Sequence, residues 1–200
     1  MKIDEKTHLF ERVDHILSPH HNYRPSGQLI DLIVIHGISL PPGEFGNSAI
    51  TDFFCGKLDT QLHPYFTTIA ELKVSSHLLI DRTGHIVQFV PFDLRAWHAG
   101  QSEFKGLSNC NDFSIGIELE GTDDIPYEKI QYERLADCIV ALQQIYPLVT
   151  RERIVGHSDI APGRKTDPGP HFDWAYFDCL LIEAWHNCNN GKGCVKEGIV

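Results

Sequence analysis

The chain has 200 residues, of which 42% are hydrophobic and 22% charged, and a formal net charge of −10. This length and composition suit a single soluble domain with a full hydrophobic core. The acidic balance excludes a broad nucleic-acid surface, which needs clustered Lys and Arg, and no apolar run approaches the roughly 20 residues of a membrane-spanning helix.

The opening MKIDEKTHLFERVD carries acidic residues where a signal peptide needs a basic stretch and then an apolar one, so a cytoplasmic protein is expected. Residues 17–28 are turn-rich. The run LIDLIVIH, from Leu29 to His36, is short, apolar and β-branched, as in a buried strand. Paired prolines and glycines make 37–46 (GISLPPGEFG) a loop. A short helix is expected over 47–55 with Asn47 as its N-cap. His77–Ile80 and His85–Val90 flank Asp81-Arg82-Thr83-Gly84 and read as a hairpin.

A long loop, 91–112, carries RAWHAG. The segment FSIGIELE then alternates. Phe113, Ile115, Ile117 and Leu119 share one face; Ser114, Gly116, Glu118 and Glu120 share the other. Leu135, Ile139, Leu142 and Tyr146 form a helical stripe, which predicts a helix over 127–146 that Pro147 stops. A short strand at 153–156, a Pro/Gly-rich loop at 157–171 and a last helix over 173–187 complete the series. The mixture predicts an α/β (α+β) fold, a mixed sheet flanked by helices, over 1–187, with a tail at 188–200.

None of Cys55, Cys110, Cys138, Cys179, Cys188 and Cys194 forms a C-x-x-C pair, so reduced thiols are expected in a cytosolic protein. His186, Cys188 and Cys194 raise a second metal site as an alternative to a plain mobile end, and the mobile end is the preferred reading.

The candidate chemistry lies in His36 and in HSDIAPGRKTDPGPH, where His157, Asp159, Lys165 and Asp167 fall on proline-stiffened backbone. Two imidazoles and a carboxylate with an open fourth position make a catalytic zinc site. His36 and His157 are candidates for the imidazoles among twelve histidines, the other ten remaining open on spacing alone, and Asp159 and Asp167 are equal rivals for the carboxylate. Glu118, inside a strand, is expected to be paired, desolvated or working, whereas Glu120, near the strand end, fits a solvated sheet face. The two glutamates also stand about 7 Å apart along a strand, in range for an inverting glycosidase. That reading leaves the histidines without a task.

Several longer runs resemble the AmpD family of zinc amidases, which act on 1,6-anhydro-N-acetylmuramyl peptides. They are HGISLPPGEFG, HPYF, VPFDLRAWHAG, CNDFSIGIELEGTD and GHSDIAPGRKTDPGPHFDWA. The resemblance extends from about residue 17 to 180 and implies a peptidoglycan-recognition/amidase-like fold. It implies His36, His157 and Asp167 as Zn2+ ligands, Glu118 as acid/base and Lys165 as the transition-state lysine. Trp97 and His98 are candidates for contact with a sugar, against a core tryptophan with a satisfied histidine. The chain departs from the family at Gly37, where enterobacterial relatives carry Asn, and at Lys73 and Asn109, where the pattern has arginines. Lys73 and Asn109 therefore stand as substrate-binding candidates at the peptide end. The expected ligand is an anhydromuropeptide, with no nucleic acid, no membrane and no obligate protein partner. A binding-only module is the non-enzymatic alternative, and it needs none of the ligands that this chain retains.

Overall fold

The computed structural model describes residues 1–190. The apolar run around Leu32 becomes a strand because both of its faces can be covered, and it sits centrally in a six-stranded sheet. The sheet contains β1 (Asp14–His15), β2 (Leu32–Ile38), β3 (Leu78–Ile80), β4 (Ile86–Gln88), β5 (Ser114–Glu120) and β6 (Ile154–Gly156), in the order β6-β2-β5-β3-β4-β1. β5 runs parallel to β2 and to β3, β6 is parallel to β2, and β1 is parallel to β4. Within this sheet only β3 and β4 pair antiparallel, as the expected hairpin, with Leu78 opposite Gln88. Its turn is closed by the Asp81 carboxylate, which accepts from Thr83 N and His85 N, and by Gly84 at φ +82°. The sheet is therefore mixed, and helices cover it, as the sequence predicts.

The register of β5 on β2 sets Glu118 beside His36. Alternation does the rest. Ile33, Ile35, Ile115, Ile117 and Leu119 enter the main core with Leu135, Ile139, Leu142, Phe177 and Leu181. Those partners come from α3 (Lys129–Ile145) and α5 (Trp174–Asn189). The other face, with Leu32 and Val34 in a second cluster, is where His36, Ser114, Gly116 and Glu118 point. A third apolar cluster joins Phe89 and Val90 to α1 (Ala49–Phe54) and α2 (Pro64–Ile69). Each fully buried Leu, Ile or Phe contributes roughly 1.5–3 kcal/mol.

Two polar side chains tie these layers. Gln131, fully buried in the first turn of α3, accepts from Glu128 N and donates to the Ile80 and Glu120 carbonyls. Arg24 donates to the carbonyls of Phe92, Asn111, Asp112 and Ser114. Its burial pushes the guanidinium pKa down to about 10.

Some expectations need correction. Strand β5 is buried along its whole length, and Glu120 is not on a solvated face. Glu120 accepts from Gly46 N at 2.6 Å and Arg82 N at 3.3 Å, so the loop after β2, which starts past Ile38 because the strand runs two residues beyond His36, and the β3–β4 hairpin close over it. The N-cap of α1 is Ser48; Asn47 accepts from Ala49 N instead. The segment 157–171 opens with a helical turn, α4 (His157–Ile160), before it becomes a loop. The last helix continues past 187 to Asn189, so Cys188 is helical and accepts from Gln144 Nε2. Cys194, the other half of the suggested tail metal site, lies outside the described residues. No helix among the described residues is long and apolar enough to cross a membrane.

Candidate metal centre

His36 is interior to β2, His157 begins α4 just after β6, and Asp167 lies in the loop that follows. The parallel pairing of β6 with β2 brings the two histidines together from 121 residues apart. Asp167 is held at the start of α4 through its carbonyl, which accepts from Ser158 N at 3.0 Å. His36 Nδ1 and His157 Nδ1 are 2.9 Å apart, and they lie 3.2 and 3.1 Å from Asp167 Oδ2. These three form the group of ligand atoms that could hold a metal among the described residues. Asp159, the rival carboxylate, instead accepts from Gly156 N at 2.7 Å and caps α4.

The donor set fits a zinc ion. The atom separations are close to the roughly 3.3 Å edge of a tetrahedron with bonds of about 2.0–2.1 Å. The proton inventory agrees. His157 Nε2 lies 3.1 Å from the Ala99 carbonyl, which can only accept, so that nitrogen carries the proton. In the neutral ring the Nδ1 lone pair then points at the Asp167 carboxylate, an arrangement that calls for a cation between them. Burial pushes the His36 pKa down to about 4, with Asp167 opposing, so the ring favours the neutral form that a metal needs.

The cluster opens into a cleft of about 440 Å3. One wall is apolar, with Phe53, Tyr65 and Ile69 from α1 and α2; Trp97 and His98 are on the lining too, with Glu118 and Lys165 beside the cluster. A larger hollow of about 730 Å3, bordered by Tyr132, His171 and Trp174, contains none of these groups. Glu118 is buried, and its Oε2 has no hydrogen-bond partner. Burial, and next the charge of Asp167, hold its carboxyl well above the usual range, while Lys165 pulls it back. Glu120 is tied to backbone amides and is absent from the cleft lining, which removes the second member of a glycosidase pair.

The remaining candidates divide. Trp97 is a half-buried cleft residue and not a core one; it stacks on His20 with centroids 6.1 Å apart, and its Nε1–H donates to Asn22. His98 Nδ1 sits 2.9 Å from His36 Nε2. Lys73 is exposed between Leu72 and Val74, which line the cleft, but is not itself on the lining. Asn109 is exposed and left-handed at φ 60°, and it borders a different hollow with Ser102 and Arg164, so the structure does not bring it to the cleft. Asn111 is a further residue of the site, whose Oδ1 accepts from the backbone of both His98 and Ala99. Its only sequence signal was its place in the turn just before β5.

A family model described as N-acetylmuramoyl-L-alanine amidase matches residues 25–170, and the chain belongs to that family of enzymes. Among its relatives is the 1,6-anhydro-N-acetylmuramyl-L-alanine amidase AmpD of Escherichia coli K12. That protein is 56% identical over 164 residues, which cover 82% of this chain and 89% of the relative. A crystal structure of a selenomethionine AmpD derivative superimposes with a TM-score of 0.87 at 51% identity, covering 90% of this chain and 99% of the other. The E. coli amidase AmiD, solved with anhydro-N-acetylmuramic acid-L-Ala-D-γ-Glu-L-Lys as substrate, is more distant. Its TM-score is 0.55 at 31% identity, covering 78% of this chain and 60% of that one.

Proposed function

We propose that this chain is a zinc-dependent amidase. It hydrolyses the amide between the lactyl group of 1,6-anhydro-N-acetylmuramic acid and the L-alanine of the peptide stem. The observation that carries this reading is the convergence of His36 Nδ1, His157 Nδ1 and Asp167 Oδ2 beside the unpaired, buried Glu118 carboxylate. The anhydromuramyl substrate is supported by kinship with AmpD and by the ligand described in the AmiD complex. The catalytic unit is assigned to the fold that ends with α5, two residues past the expected boundary at 187, and the reaction to cytoplasmic recycling of wall fragments.

Zinc, when bound, would supply Lewis acidity toward the lactyl carbonyl and toward an attacking water. Glu118 takes the proton from that water and delivers it to the alanine nitrogen. An amide nitrogen leaves poorly until protonated, so the shuttle is required. Burial holds the Glu118 carboxyl above its ordinary range, which favours the protonated form that delivers a proton to the leaving nitrogen. The Lys165 ammonium, on the cleft lining, stabilises the negative charge that forms on the carbonyl oxygen. The Trp97 ring, fixed by His20 and Asn22, offers a flat face to the sugar.

The direct experiment is mass spectrometry of anhydromuramyl-tripeptide after incubation with purified protein, with a zinc chelator and then with zinc restored. Free tripeptide should appear, vanish on chelation and return with zinc. Cleavage that survives complete metal removal would refute the zinc site; bound zinc with no cleavage would refute the substrate.

A further inference from the structure

Both ring nitrogens that face away from the metal cluster meet one short segment of chain, His98–Ala99. His36 Nε2 lies 2.9 Å from His98 Nδ1, and His98 Nε2 lies 3.1 Å from Ser114 Oγ. The Ser114 hydroxyl donates to the Cys110 carbonyl at 2.6 Å. That carbonyl can only accept, so the hydroxyl proton is committed and Ser114 Oγ must accept from His98 Nε2–H. A neutral His98 then has a bare Nδ1, which accepts from His36 Nε2–H. The His36 Nδ1 lone pair is left facing His157 and Asp167. A single carbonyl thus sets every proton along the relay. The Ala99 carbonyl does the same for His157 in one step.

The segment is itself held from two sides. Asn111 Oδ1 accepts from His98 N at 3.1 Å and from Ala99 N at 2.8 Å. Strand β5 is cut away beneath the ring, since a Cβ on Gly116 would stand 2.4 Å from His98 Cγ.

We propose that Asn111 is a positioning residue which, through His98 and Ala99, holds both imidazoles with Nδ1 toward the metal, and that His98 is the outer hydrogen-bond partner of His36. The proposal rests on the zinc reading above. Loss of such outer partners typically costs on the order of 10- to 100-fold in metal affinity.

The test strips the full-length protein of metal and titrates it with zinc against a chromophoric chelator. The cobalt-substituted visible spectrum, and kcat and KM at saturating zinc, are recorded alongside. Asn111→Ala and His98→Phe remove the acceptors. Asn111→Asp keeps the oxygen, and His98→Gln keeps both an acceptor and a donor. Asn111→Ala and His98→Phe should lose on the order of 10- to 100-fold in zinc affinity and shift the cobalt bands. The two conservative variants should recover most of both, with KM little changed in the Asn111 variants, whose side chain is off the cleft lining. Wild-type zinc affinity in Asn111→Ala and His98→Phe, or in Asn111→Ala a raised KM with unchanged zinc affinity, would overturn the proposal. Equal losses in the conservative variants would overturn it too, because the retained acceptor would then be irrelevant. A wild-type protein that binds no zinc would instead sink the zinc reading itself.

Discussion

Glu118 occupies a strand buried on both faces, and one of its carboxylate oxygens has no partner. A carboxyl raised above its ordinary range opposes folding once it ionises. The metal-free fold keeps that part of its stability in acid and loses it as pH rises through the raised pKa. Glu118→Gln removes the titration. The metal-free variant should therefore melt above the metal-free wild type at about pH 7, and the gap should close below about pH 4, where the carboxyl is protonated in both folded and unfolded chains. Equal melting temperatures at both pH values would show that burial does not perturb Glu118. The same variant should retain zinc yet lose on the order of 10²-fold or more in rate. Lys165 bears on the same proton, because its charge favours the ionised glutamate. Lys165→Ala should lower kcat with little change in KM and move the ascending limb of the pH–rate profile to higher pH. A limb that stays in place would separate Lys165 from the titration of Glu118.

At the scale of elements, β2, the β3–β4 hairpin, β5 and α3 were readable because each has a local signature: an apolar run, a turn sequence, a strict alternation, a helical stripe. What lies over a strand has no such signature. Glu120 reads as solvated because alternation assigns it a polar face; only the folded chain lays Gly46 and Arg82 across it. Gly37 is a further case. A Cβ there would stand 2.2 Å from the Tyr127 hydroxyl, which donates to the Pro168 carbonyl beside Asp167. Tyr127 thus fills the space next to His36 that a side chain at 37 would need, and it buttresses the loop carrying Asp167. Gly37→Ala should cost about 1–3 kcal/mol through overpacking. Adding Tyr127→Phe, which removes the hydroxyl, should restore part of that loss. Strictly additive losses in the double mutant, measured by denaturant unfolding, would show that the two sites do not touch.

Over the whole molecule, the candidate metal centre joins a strand, a helix start and a loop whose residues are 121 and 131 positions from His36. No spacing rule connects residues so far apart, which is why Asp159 and Asp167 are level on sequence spacing and only the family resemblance favours Asp167. The fold separates them: Asp159 is committed to the Gly156 amide, and Asp167 is carried to the histidines. The same layout makes metal binding a property of the folded chain, since the unfolded chain has no comparable site. Zinc should then stabilise the fold by mass action, by about 4 kcal/mol when free zinc exceeds its dissociation constant a thousandfold. For a chain of this size that corresponds to a rise in melting temperature on the order of 10 °C. The rise should be much smaller in His157→Ala and in Asp167→Asn, each of which weakens or removes a ligand while the β-sheet stays in place. If zinc raised the melting temperature of those variants as much as that of the wild type, the ion would be binding elsewhere, and His36, His157 and Asp167 would have to be withdrawn as its ligands.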